Sequence, residues 1–76
     1  MKERYFFTEL AATLERRLQC DVGVEGLKIL IGRLQDMGKI NRSTLYMREK
    51  AVGEKYLTYD ETIILSQYAG YDLTEE

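Results

Sequence analysis

The chain has 76 residues, enough for one small domain with a thin core, spanning residues 1–76. Its 11 Lys+Arg against 13 Asp+Glu leave a formal net charge of -2, and 45% hydrophobic with 32% charged residues is too apolar for a disordered chain. With no His, one Cys and no Pro, it lacks imidazole ligands and the commonest general base, and it can form neither an intrachain disulfide nor a Cys-rich zinc site.

Apolar residues at Phe7, Leu10, Ala11, Leu14 and Leu18 recur at helical spacing, which predicts a first helix over about 4–19. Asp21, Gly23 and Gly26 mark a break, and Asp21 can cap the helix after it. Leu27, Leu30, Ile31 and Leu34 make a second apolar stripe, and Gly38 fits the position that ends a helix in the left-handed region, so a second helix is expected over about 24–37. Val22, Val24 and Ile29 also suit a strand, but the i, i+3, i+4, i+7 spacing favours a helix. Asn41 or Ser43 can cap a short third helix, about 42–50, that turns Leu45 inward. Gly53 falls in the connection after it, between Ala51 and Leu57. Thr58 with Glu61 three residues on is a capping box ahead of Ile63, Ile64, Leu65, Tyr68 and Ala69, and Gly70 closes this fourth helix, about 59–69. Tyr71 and Leu73 are expected to pack back before the tail frays. The architecture read from these patterns is a compact all-α bundle of four short helices.

The charge is unevenly spread. Residues 1–32 hold five bases and five acids. Residues 33–55 hold six bases (Arg33, Lys39, Arg42, Arg48, Lys50, Lys55) and three acids, a balance of +3. Residues 56–76 hold five acids and no base, a balance of -5. The bases therefore gather on the third helix and its flanks. A solvated surface accounts for such a cluster. So does a footprint for phosphate, although +3 is weak for one protomer and two such patches in a homodimer would serve better.

The stretch from Leu30 to Tyr46 looks like a helix-turn-helix. Leu30 and Leu34 form its inward pair, Gly38 the turn, Ile40 the plug between helices and Leu45 the buried residue of the second helix. Asn41, Arg42, Ser43 and Thr44 form that helix's exposed first turn. The run Ile40-Asn41-Arg42-Ser43-Thr44-Leu45-Tyr46 resembles the recognition helices of phage-repressor-like, Cro-type DNA-binding domains. The segment from Tyr56 to Leu73 is similar to the closing helix of small Bacteroidetes helix-turn-helix proteins. The resemblance covers about residues 24–74, with the two crossing helices at about 24–50. Three features depart from the family pattern: Lys39 lengthens the turn by one residue, Met47 stands where those families often place a phosphate-binding Arg, and the net charge is negative.

The resemblance implies sequence-specific binding of double-stranded DNA by a transcriptional regulator of bacterial or mobile-element origin. Arg42 would fork onto a guanine edge, and Asn41 would meet an adenine or a phosphate. Ser43 and Thr44 would reach a base or phosphate, unless Ser43 serves only as the cap. Tyr46 would touch the sugar-phosphate backbone or else cover the edge of the core. Lys39, Arg48 and Lys50 would hold phosphates and fix register. No cofactor and no metal are implied.

The competing reading is a non-catalytic protein-interaction module on the same fold. The acidic last third and the six Tyr favour it, although a small core also places Tyr at its rim. Phe6 and Phe7 are adjacent, so one serves a dimer interface or both straddle the core boundary. With no His to serve as its base, Cys20 reads as a small buried residue or an inert thiol. With no phosphate-binding glycine loop either, an enzyme is not expected. The start, MKERYFFTEL, lacks the apolar run of a signal peptide, and the Leu27–Leu34 stretch is broken by Lys28, Gly32 and Arg33. A cytoplasmic protein without membrane contact is therefore expected.

Overall fold

The computed structural model describes residues 2–21 and 23–74. The chain runs β1 (Tyr5–Phe6), α1 (Phe7–Leu18), α2 (Gly23–Asp36), α3 (Arg42–Val52), β2 (Tyr56–Leu57) and α4 (Tyr59–Ala69). It is a small, mainly α bundle of four helices, as the periodicity predicts, with one addition: β1 and β2 pair as an antiparallel ribbon, Tyr5 opposite Leu57 and Phe6 opposite Tyr56. Val22 and the end of the tail, Glu75 and Glu76, lie outside the described residues.

The ribbon corrects the start of the first helix, which begins at Phe7 and not near residue 4. Phe6 is extended, with φ -69° and ψ 150°, and the Phe7 N–H donates to the Lys55 carbonyl at 3.2 Å, continuing the ladder by one bond. Aromatic residues suit a pleated, half-buried surface, and here a partner strand is present to provide one. α1 has no local side-chain cap. Its first turn is satisfied from far along the chain: the Glu54 carboxylate accepts from Thr8 N–H at 3.4 Å and from the Thr8 hydroxyl at 2.9 Å. A carboxylate at a helix N-terminus also complements the helix dipole.

The core is built from Leu10, Ala11 and Leu14 of α1, Leu27, Ile31 and Leu34 of α2, Leu45 of α3, Leu65 of α4, and Tyr5, Ile40, Leu57 and Leu73 from the segments between and beyond them. Leu30, expected as part of the inward pair with Leu34, is only half-buried. Ile31 takes the deeper position. Leu18 closes the periodic stripe of α1 but stays exposed. α1 and α2 make the most extensive helix pairing. Gly23 permits it, because a Cβ there would lie 2.6 Å from the Ala11 carbonyl oxygen and 2.4 Å from Glu15 Cγ. Leu73 packs back as expected, its N–H donating to the Ser66 hydroxyl at 2.9 Å, whereas Tyr71 remains exposed.

The turn that leads into α3 follows from Gly38. Its φ of +76° is the left-handed conformation that glycine adopts without a Cβ clash. Lys39 N–H donates to the Leu34 carbonyl at 2.9 Å and Gly38 N–H to Gln35 at 3.0 Å, the paired bonds of a Schellman ending. Ile40, buried at once afterwards, anchors the chain as it enters α3. Among the described residues, no helix is long and apolar enough to cross a membrane.

Candidate nucleic-acid interface

α3 begins where Asn41 stops the extended chain and caps the helix. Its Oδ1 accepts from Ser43 N–H at 2.8 Å and from Thr44 N–H at 3.3 Å. Of the two caps the sequence allows, Asn41 is the one used, and Ser43 is left with its side chain exposed. This narrows Asn41's chemistry. Both acceptor sites of its oxygen are occupied, so the two-bond grip on adenine, which needs an accepting oxygen beside the donating amide, would cost the cap. The amide NH2 remains a donor toward phosphate.

One stripe of α3 faces solvent. Arg42, Tyr46 and Lys50 follow at i, i+4 and i+8, with Ser43 and Met47 beside them. Tyr46 and Met47 are 56% and 62% exposed, so Tyr46 does not cover the core edge. The Lys50 ammonium lies 5.2 Å from the centre of the Tyr46 ring, close enough for a cation–π contact. Arg42 pairs with Asp36 at 3.0 Å across the turn, but both side chains are more than two-thirds exposed. Such a pair is worth about 0–1 kcal/mol, so the guanidinium can leave it for another anion at little cost. Lys39 is exposed at the end of the same turn, and Thr44 is half-buried.

Arg48 departs from this face. Its guanidinium turns inward, donating to Glu61 Oε1 at 2.6 Å, Glu61 Oε2 at 3.3 Å and the Tyr56 carbonyl at 3.0 Å. The two side chains are only 15% and 20% exposed. Burial by itself would raise the Glu61 carboxyl, but hydrogen bonds from Arg48 and the Thr58 N–H, with the arginine's charge, outweigh it and hold the group below the ordinary glutamate value. An arginine held in this way braces α3 against α4, and it cannot leave its carboxylate as cheaply as Arg42 can. Of the four cations expected on this face, Arg42 and Lys50 lie on the exposed stripe of α3, Lys39 is exposed in the turn before it, and Arg48 is turned inward.

A shallow depression of about 460 Å³ adjoins the stripe, lined by Ser43, Thr44, Met47, Arg48, Ala51 and Tyr56. Arg4 and Arg48 lie over the Tyr56 ring at 5.2 and 5.0 Å. Arg4 thus adds an exposed cation near α3 that the sequence pattern does not reveal. Nothing local to residue 4 signals it, because its proximity depends on the ribbon. Phe6 packs against Tyr56 with ring centres 5.6 Å apart, and Phe7 packs on the core, so the two phenylalanines straddle the core boundary. Cys20 is a free thiol and is exposed, which rules out the buried position the sequence allowed for it. Among the described residues, no three His, Cys, Asp or Glu side chains converge to hold a metal ion.

No family model, curated protein or solved structure matches the chain. What α3 can do is therefore read from its own side chains.

Proposed function

We propose that the chain binds double-stranded DNA by laying the exposed stripe of α3 in the major groove, as a small transcriptional regulator of bacterial or mobile-element origin. The observation that carries this reading is the open first turn of α3. It follows a sharp glycine turn and a buried Ile40, its amides are held by Asn41, and Arg42 is retained only by a surface ion pair. Arg42 is the base-reading side chain, suited to the O6 and N7 of a guanine. Met47 and Tyr46 present apolar surface to a thymine methyl or the sugar edge, and Ser43 reaches a phosphate. Lys39 and Lys50 position the helix on the backbone.

The test is titration of labelled duplex DNA at low and raised salt. Two phosphates neutralised per protomer, by Lys39 and Lys50, predict a slope of log affinity against log salt of about -1.8. On a site selected from a random duplex library, Arg42→Ala should lower affinity by about 1–3 kcal/mol and change binding to random duplex much less. Equal losses on both would remove Arg42 from base reading. Absence of binding at low salt would overturn the DNA reading. The reading that would then stand is a protein-interaction face, which the adjacent exposed Tyr46 and Met47 favour.

A further inference from the structure

α2 buries Gly23, Leu27, Ile31 and Leu34 and turns its opposite side to solvent. At 100° per residue, Glu25 and Arg33 lie about 40° to either side of Ile29 on that outward side. Ile29 is 57% exposed, although it sits at the middle of a 14-residue helix. Next to it runs a shallow apolar groove of about 320 Å³, walled by Leu14, Leu18, Leu30, Ala69 and Tyr71. Gly32 lies one turn from these residues, and a Cβ there would meet nothing within 4 Å. Glycine inside a helix weakens it, and no contact within this chain requires one at this position.

We propose that this face pairs two copies of the chain, with their α2 helices antiparallel about a twofold axis at Ile29. The spacing of residues on the face makes it complementary to itself. Antiparallel pairing centred on residue 29 matches each position with the one equally far on the other side. Glu25 then faces Arg33 of the second copy, and Arg33 faces its Glu25. Gly26 and Gly32 are matched in the same way, so the two backbones can approach closely. A twofold interface requires a patch complementary to itself, and this arrangement provides one. The charges concerned are available: Arg33 has no acidic partner among the described residues, and Glu25 reaches only Lys28, at 3.9 Å on the open surface. The apolar groove beside Ile29 offers the second copy's Ile29 a floor. This pairing goes beyond the DNA reading and does not rest on it, so its test contains no DNA.

Sedimentation equilibrium of the full chain should show a monomer–dimer equilibrium. Ile29→Glu sets two carboxylates on the axis and should weaken the dimer roughly a hundredfold. Glu25→Arg or Arg33→Glu alone makes two like-charge contacts and should weaken it on the order of tenfold, and the double exchange should restore it. All three positions are solvent-facing, so far-UV circular dichroism should be unchanged. As a second measurement, Ile29→Cys in a Cys20→Ser background should cross-link to itself under mild oxidation, whereas Lys39→Cys in the same background should not. A chain that stays monomeric at millimolar concentration overturns the proposal. So does a dimer indifferent to Ile29→Glu and to the charge exchanges, or an Ile29→Cys variant that cross-links no faster than the Lys39→Cys control.

Discussion

Two helix beginnings in this molecule share their local chemistry and differ in what surrounds them. α3 opens on Asn41, which caps Ser43 and Thr44. α4 opens on Thr58, whose hydroxyl accepts from Glu61 N–H at 3.4 Å while Glu61 returns a bond to Thr58 N–H at 2.9 Å. Each beginning also has an arginine–carboxylate pair beside it. At α4 the pair is Arg48 with Glu61, forked, short and largely buried. At α3 it is Arg42 with Asp36, single and exposed. A helix start is thus either a structural joint or an open surface according to whether its carboxylate is covered, and the cover comes from elsewhere in the chain.

The sharpest way to break this comparison is to remove one carboxylate at a time. Glu61→Ala leaves the largely buried Arg48 without its anion and opens the capping box, and should cost roughly 2–4 kcal/mol in urea unfolding. The same pair sets an acid dependence. The Glu61 pKa is depressed in the folded state, so its contribution is fully present above about pH 4.3, where a free glutamate ionises, and is lost as pH falls through the lower folded value. Tm measured from pH 6 to pH 2 should fall more in the wild type than in Glu61→Gln over that acid window. A parallel fall in both would place the acid sensitivity elsewhere.

A smaller effect is expected at the other cap. Asn41→Ala should cost about 1 kcal/mol by freeing two amides at the start of α3, and Asn41→Ser should recover most of it. The smallest belongs to the open pair: Asp36→Ala should change stability by no more than about 0.5 kcal/mol in urea unfolding. If Asp36→Ala cost as much as Glu61→Ala, Arg42 would be a structural joint like Arg48, and the open face of α3 would be closed.

What could be read along the chain divides in the same way. The turn at Gly38, the cap at Asn41, the Thr58–Glu61 box and the stop at Gly70 involve residues a few positions apart, so the bounds of α2, α3 and α4 are legible to within one or two residues. The start of α1 was not, because its first turn is capped by Glu54, 46 residues away, and because Tyr5 and Phe6 become strand only when Tyr56 and Leu57 arrive. In the candidate site, the exposure of Arg42 and Ser43 agrees with the helix-turn-helix resemblance, whereas the sequence left Tyr46 open between solvent and the core edge and did not foresee that Thr44 is half-buried. The loss of Arg48 to the interior did not, since Arg42 and Arg48 look alike until α4 brings Glu61 beside one of them. The gain of Arg4 depended on the ribbon in the same way.

That ribbon has a consequence for how the molecule is made. It ties residues 5–6 to residues 56–57, enclosing about fifty residues in a single loop. During synthesis α1 and α2 can dock as soon as both have emerged, but the aromatic pair ahead of α1 must wait, uncovered, until Tyr56 and Leu57 have left the ribosome. Closing that clasp brings Arg4, Tyr56 and Arg48 together, so the surface beside α3 takes its shape only after α1, α2 and α3 have all been made.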